Sequence, residues 1–373
     1  MLKCTVDKSR MASVLSKVQG LTGRRSNLGI TENILMRSVP EGIQITATDL
    51  ETGFEGFYPA LVESEGAIAL NSRKLHEIIK EFPLDAVLFN EVENRWVEIG
   101  EGKILYHMMG MNPDDFPETD RLTDIEFFSI DAGVLEKMIA RSIVITPASD
   151  EKRNFALGVS VERIPSDTTT CLRFVSTDVT RLNIMECLYE GNDAIPVGKN
   201  VLVSKKGLGD AIKFLDTDGD VQIGIKENAF IIRKASETLM LQLLEGEFPK
   251  YQNILEKRDS ARIEMEKIPF SKLLKRMSII ATEKYNSAMF TFDNNTLTVS
   301  AVNPEYGESK EEMEISFSGA PVTAAFNPKF FIDTLNLLDH ETVIVDIVDG
   351  NSACILKNDA DPTFTSIIMP MRF

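Results

Sequence analysis

Apolar positions recur along this chain at two alternating periods. Met11, Val14, Leu15 and Val18 fall at i, i+3, i+4 and i+7, one face of a helix with 3.6 residues per turn. Leu75, Ile78, Ile79 and Phe82 repeat that spacing, as do Leu273, Leu274, Met277 and Ile280, and more loosely Val134, Leu135, Met138 and Ile139. The pattern predicts helices at 7–23, 71–83, 131–144, 204–215, 268–280 and 327–338. Asp7, Asn71, Asp131, Ser204, Ser271 and Asn327 stand where a side-chain oxygen caps the free N–H groups of a helix start, and Phe82-Pro83 closes the second helix. Between the helices the period falls to two. Gly42 to Ala47, Val221 to Ile225 and Thr342 to Asp346 read as strands, with hairpin turns at Pro40-Glu41-Gly42, Lys226-Glu227-Asn228 and Asn294-Asn295.

The same order of elements is written three times. Strands at Cys4-Thr5-Val6, Phe128-Ser129-Ile130 and Ile263-Glu264-Met265 each lead into a helix. Each copy then has a strand ending in a small polar triplet: Ala47-Thr48-Asp49, Ser176-Thr177-Asp178 and Ala301-Val302-Asn303. A second half opens at Leu70-Asn71-Ser72-Arg73-Lys74, at Val203-Ser204-Lys205-Lys206 and at Phe326-Asn327-Pro328-Lys329. Equivalent points lie roughly 120–135 residues apart, the size of a domain rather than of a solenoid repeat. The expected class is α+β, with two helices packed on antiparallel sheet in each of three domains, at 1–125, 126–258 and 259–373, with polar linkers near 119–126 and 256–262.

Charge adds an inside and an outside to this plan. The chain of 373 residues carries a net charge of −17, which by itself argues against a polyanionic partner. The six helical segments nevertheless hold 15 Lys and Arg against 7 Asp and Glu, so the acid lies in strands and loops and the base on the helices. Such a skew in one helix is ordinary solvated surface; across six repeated units it predicts a common basic face. Gly23-Arg24-Arg25-Ser26 adds base in a polar loop.

Catalytic signatures are weak. Cys4, Cys171, Cys187 and Cys354 form no CxxC pair and stand apart from His76, His107 and His340, so free thiols are expected rather than a zinc site. Asp216-Thr217-Asp218-Gly219-Asp220 resembles a calcium loop, but Val221 occupies the position where such a loop needs glycine, and a strand follows. Gly198-Lys199-Asn200 lacks the spacing of a phosphate-cradling loop, and no histidine accompanies a nucleophile elbow. No apolar run is long enough to span a bilayer, and the N-terminus lacks a signal-peptide core, so a cytoplasmic protein is expected. The C-terminal Ser366 to Phe373 is unusually apolar and rich in methionine. It reads either as a last edge strand or as an adaptable partner-binding surface. A metal-dependent phosphodiesterase built on the acidic clusters and a peptide scaffold without DNA remain the rival readings.

Several segments together resemble a known family. The threefold repeat, Ser176-Thr177-Asp178 with Arg181-Leu182, Leu244 to Pro249 (LEGEFP), Asp114-Asp115-Phe116-Pro117 and the terminal Met369-Pro370-Met371-Arg372 occur in the order of the bacterial DNA polymerase III beta subunit, the sliding clamp, over the whole chain. The resemblance implies a head-to-tail homodimeric ring with helices lining a hole for duplex DNA, no enzymatic activity and no cofactor or metal. The implied partners are duplex DNA irrespective of sequence, a second copy of the chain, the DNA polymerase III catalytic subunit, the clamp loader and other proteins with a clamp-binding motif; no membrane is involved. Carried over by position, DNA contacts fall on Arg24, Arg73, Lys74, Phe155, Lys205 and Lys206, and on Lys272 and Lys275 of their helix. The partner-peptide cleft maps to Thr177, Arg181, Leu182, Pro249, Ile254, Phe330, Ile367, Ile368, Met369, Pro370 and Met371, and the ring seam to Tyr106, Ile279 and Ile280. This chain departs from the family at Val179-Thr180, where Gly-His is frequent, and at Asn154, Ala156 and Asn253.

Overall fold

The computed structural model describes residues 1–22, 29–118, 124–147, 152–165, 170–189, 197, 201–216, 218–255, 259–281 and 286–371, and among these it has the six predicted helices and one short helical turn that the pattern did not predict. They are α1 (Lys8–Thr22), α2 (Ser72–Glu81), α3 (Ala132–Ile143), the single turn α4 (Asn154–Leu157), α5 (Lys205–Phe214), α6 (Lys267–Ile280) and α7 (Pro328–Leu337). The predicted face of α1 (Met11, Val14, Leu15, Val18) is buried throughout, as are Leu75, Ile79 and Phe82 at α2. Each such side chain contributes about 1.5–3 kcal/mol by leaving water. On α3 the looser spacing is only partly buried, since Val134 stays exposed while Leu135, Met138 and Ile139 are covered.

Five predicted caps are made. Asp7, Asn71, Asp131, Ser204 and Asn327 accept backbone N–H groups from Arg10, Lys74, Val134, Gly207 and Lys329 at 2.8–3.0 Å. Ser271 is not a cap. Helix α6 begins at Lys267, and the cap position falls on Glu266 rather than Ser271, because the N–H of Lys267 is taken by the carbonyl of Glu341 and Pro269 tolerates the first turn, where no donor is needed. The hairpins turn where expected, and Asn294 and Asn295 both adopt positive φ (+45° and +61°), the pair of left-handed residues that a tight two-residue hairpin requires.

The strands assemble into sheets that run across the repeat. The chain divides into two compact units, one holding mainly 1–136 and 203–243, the other mainly 137–191 and 244–373. In the first, strand Thr52–Ser64 pairs with Glu237–Gln242, so strands of the first and middle copies form one twelve-stranded sheet. In the second, Arg181–Tyr189 pairs with Asp361–Ile368, joining middle and last copies in one eight-stranded sheet. A four-stranded sheet completes the second unit, ending at the edge strand Gly307–Glu314. Its core is aromatic: Phe331 of α7 stacks on Phe290 at 5.1 Å and meets Phe326 and Phe270 edge-on.

The chain's last strand is therefore interior and not an edge. Asp361–Ile368 is hydrogen-bonded on one side to Arg181–Tyr189 and on the other to Cys354–Asn358. A buried polar relay fixes it there. Asn183 Nδ2 donates to the carbonyl of Arg141, Ser366 Oγ donates to Asn183 Oδ1, and Thr334 Oγ1 lies 2.9 Å from Ser366 Oγ. Beside it the buried Arg141 guanidinium bridges Asp361 at 2.7 Å and Asp339 at 2.9 Å, with its face over Phe364.

Burial opposes the Asp361 charge, but hydrogen bonds from Thr363 and Arg141 outweigh it and lower the carboxyl pKa to about 2. A depressed carboxyl contributes stability that is complete above its unfolded pKa of about 4 and is lost as pH falls toward 2. Thermal melts between pH 5 and pH 2 should show this acid limb, and it should be smaller in Asp361→Asn. At pH 7 that variant should lose roughly 2 kcal/mol, less than the about 3–5 kcal/mol for an orphaned buried charge because Asp339 remains on Arg141.

Candidate functional site

Two strand ends make the same turn. Thr177 Oγ1 donates to the carbonyl of Arg181 at 2.7 Å and accepts the N–H of Val179, while Asp178 Oδ1 accepts from the N–H groups of Thr180 and Arg181. In the first copy Thr48 Oγ1 donates to the carbonyl of Thr52 at 3.0 Å and accepts the N–H of Leu50, while Asp49 Oδ1 accepts from Glu51 and Thr52. Both turns need a left-handed third residue, supplied by Leu50 (φ +78°) and Val179 (φ +80°). A side chain branched at Cβ pays a steric penalty in that region, so Val179, where the resembling family often has glycine, holds a strained position. The third copy, with Val302-Asn303, places its positive φ on Gly307 instead.

The two turns are then put to different uses. At Asp178 the turn is stitched to α7: Arg181 reaches Asp178 at 3.2 Å and Asp333 at 2.6 Å, and its guanidinium lies 4.3 Å from the Phe330 ring. Arg181 is buried by these contacts and positions the turn. At Asp49 the carboxylate meets Lys206 of α5 at 3.0 Å, and Glu51 joins it. Burial disfavours the Lys206 ammonium, yet its bonds to Glu51 and Asp49 hold its pKa above the ordinary lysine value.

Next to the Asp178 turn lies an apolar cluster. Leu182 and Ile367 pack with Val175, Ile184 and Tyr251, flanked by the half-buried Ile254, Leu255, Phe248 and Ile355. Tyr251 is anchored from below, donating its hydroxyl to Glu162 at 2.7 Å and accepting from Arg173 at 3.2 Å. Burial and the Glu162 carboxylate push its pKa well above the usual phenol value. Pro249 stands exposed on the segment entering this cluster. Thr177, Leu182 and Ile367 are register partners and share one face of the sheet, whereas Ile368 alternates to the other face, opposite Arg181. The tail is pinned through its backbone, Met369 N–H to the carbonyl of Thr180 and Met371 N–H to that of Ala325, both 2.8 Å. Met369, Pro370 and Met371 remain half-exposed beside the cluster. The structure thus brings most of the expected cleft residues together and adds Tyr251, Asp178 and Asp333. The adjacency of Asp178 to Thr177 was the only sequence signal for any of these three.

The basic positions are distributed over helix surfaces. Arg73 and Lys74 are exposed in the first turn of α2, each within 3.3 Å of Glu77. Lys205 and Lys206 open α5, and Lys272 and Lys275 are exposed on α6. Phe155 sits half-buried in α4, with the Arg153 guanidinium 5.1 Å from its ring and Phe248 edge-on to it. Arg24 lies outside the described residues, as do Gly198-Lys199-Asn200, Arg372, Phe373 and parts of both linkers. Asp216 faces Lys17 and Lys234 at 3.8 and 4.0 Å, and Gly219 (φ +77°) turns the chain straight into strand Asp220–Lys226. The acidic run thus leads from a helix into a strand.

Two sheet ends expose apolar side chains. Ile104–Met109 ends the twelve-stranded sheet with Leu105, Tyr106 and Met109 exposed. Near the edge of the four-stranded sheet, Ile279, Val302 and Tyr306 are exposed, while Ile280 is half-buried and its carbonyl accepts from Asn303. Uncovered edges bearing apolar groups are association surfaces by their physics.

Comparison with known proteins agrees with this architecture. Family models described as the N-terminal, central and C-terminal domains of the DNA polymerase III beta subunit match residues 2–120, 129–250 and 252–372 in that order. The beta sliding clamp of Vibrio cholerae is 26% identical over 382 aligned positions, covering all of both chains. That of Escherichia coli K12 is 25% identical over 373, also covering both completely. The crystal structure of the DNA polymerase sliding clamp from Bacillus subtilis superposes with a TM-score of 0.90, covering 100% of this chain and 99% of that one at 22% identity. The repeated sheet-and-helix plan and the three matches in series assign the chain to the DNA polymerase III beta subunit family, the bacterial sliding clamps.

Proposed function

We propose that this chain is a processivity clamp. In this reading it closes with a second copy into a head-to-tail ring around duplex DNA, holds the replicative polymerase, the clamp loader and other motif-bearing proteins through its cleft, and makes or breaks no covalent bond. Its domains are 1–125, 126–258 and 259–373, and a cytoplasmic location goes with the role. Among the described residues no helix is long and apolar enough to cross a membrane.

The observation that carries the reading is the charge of the helix starts. Carboxylates stand at the cap positions of α1, α3 and α6 (Asp7, Asp131 and Glu266), but none of α1, α2, α3, α5, α6 and α7 has an acidic residue within its first turn, where the helix dipole favours one. In five of the six, all but α3, a base stands there instead: Lys8, Arg73-Lys74, Lys205-Lys206, Lys267 and Lys329. Each such placement costs about 0.3–1 kcal/mol in the free protein, and a nearby polyanion offsets it. Contacts of this kind read phosphates and not bases, which permits sliding. Arg24, Arg73, Lys74, Phe155, Lys205, Lys206, Lys272 and Lys275 form the DNA face in this assignment, with Lys206 exchanging Asp49 and Glu51 for phosphate. The acidic remainder of the surface disfavours DNA elsewhere.

Thr177, Leu182, Pro249, Ile254, Ile367 and Met369 to Met371 form the apolar seat for partner peptides, while Arg181, Phe330 and Ile368 brace it from the helix side. Tyr106 of one copy meets Ile279 and Ile280 of the next. Ile279→Asp combined with Ile280→Asp should therefore yield monomers by sedimentation velocity; dimers persisting at low concentration would contradict the seam. Deleting Met369 to Phe373 should abolish stimulation of polymerase synthesis on primed DNA while the protein still sediments as a dimer. Stimulation that survives the deletion would rule out the cleft.

A further inference from the structure

The row of cross-strand neighbours that begins in the cleft does not end with its apolar residues. Thr177 lies opposite Leu182, Leu182 opposite Ile367, Ile367 opposite Ile355, Ile355 opposite Asp346, and Asp346 opposite Arg262. One face of the eight-stranded sheet thus passes from aliphatic side chains to a carboxylate without a break. Ile355, Asp346 and Arg262 line an open pocket of about 640 Å³, together with Lys357 and the cleft residues Ile254 and Met369.

Asp346 is 8% exposed. Its Oδ2 pairs with Lys357, and its Oδ1 is buried with no hydrogen-bond donor among the described residues. A carboxylate oxygen left without a partner at such depth is costly, and an aliphatic residue there would extend the apolar strip at no such cost. Among the described lining residues two carboxylates, Asp346 and the exposed Asp259, face two cations, of which Lys357 pairs with Asp346 and Arg262 is drawn off by Asp359, so Asp259 is left with no cation of the lining paired to it.

We propose that the peptide cleft continues onto this floor, and that partner segments seated in it carry an arginine about three residues from their apolar anchor. The inference rests on the cleft reading given above. Adjacent strands are about 4.8 Å apart, so Asp346 lies roughly 10 Å from Ile367, the reach of about three residues of extended peptide. A planar guanidinium presents two parallel N–H groups and can satisfy Oδ1 and Oδ2 together, which the single ammonium of Lys357 does not. Lys357 is partly exposed and free to swing toward solvent as the arginine enters.

Fluorescence polarisation on the full chain tests this with two labelled extended peptides bearing the same leucine anchor. One carries arginine three residues from the anchor, the other norleucine, which keeps the stem and removes the donors. The arginine peptide should bind roughly ten-fold tighter. Asp346→Asn should collapse that ratio while leaving the norleucine peptide's affinity within about two-fold. Equal affinities for the unaltered chain overturn the proposal and leave the cleft standing. Failure of both peptides to bind overturns the cleft itself. The ratio in the unaltered chain decides the matter even where Asp346→Asn does not fold.

Discussion

Strand pairing between copies is the constraint on which the rest of this molecule depends. A sheet edge carries unpaired N–H and C=O groups, and a chain of repeated domains would present such edges at every junction. Here Thr52–Ser64 takes Glu237–Gln242, and Arg181–Tyr189 takes Asp361–Ile368, so each of these junctions becomes the interior of a sheet. The junctions are consequently stiff. They also leave free ends only where the sheets stop, at strands such as Ile104–Met109 and Gly307–Glu314.

The same pairing builds the apolar cluster beside the Asp178 turn. Because Leu182 and Ile367 are register partners, insertion of the last strand brings middle-copy and last-copy side chains onto one face, and the tail that follows is pinned at Thr180 and Ala325. The equivalent junction in the first unit repeats the Thr-Asp turn but fills the place of Arg181 and Phe330 with Lys206 on Asp49 and Glu51. One turn geometry thus supports an apolar seat in one unit and a basic helix start in the other. Divergence of side chains on a repeated backbone thus gives two copies of one turn different surroundings.

Much of this was legible in the sequence because it is local. Helix periodicity, five of the six caps and the Asn294-Asn295 turn each depend on residues within a few positions of one another, and all are found where the pattern places them. Ser271 misled because a cap residue also serves inside a helix, and the true start is set by a distant carbonyl at Glu341. The last strand read equally well as an edge, since nothing local to Asp361–Ile368 announces two partners. Partners brought in by long-range register were invisible for the same reason: Asp333 and Glu51 lie 152 and 155 residues from Arg181 and Lys206, and Asp346 joins the row of Ile367 only across two strand pairings. The pairing of opposite charges explains another gap, because a count of basic helix residues cannot show which already hold a carboxylate.

A closed ring around DNA is the central claim, and topology tests it most directly. The protein is loaded by a clamp loader onto nicked circular duplex DNA, passed through a gel-filtration column that excludes the DNA, and followed before and after one double-strand cut. The account predicts that the protein travels with the circle, tolerates salt that strips ordinary phosphate contacts, and is released when the cut creates ends. Equal retention on circular and linear DNA, or loss from the circle governed by salt alone, would contradict it.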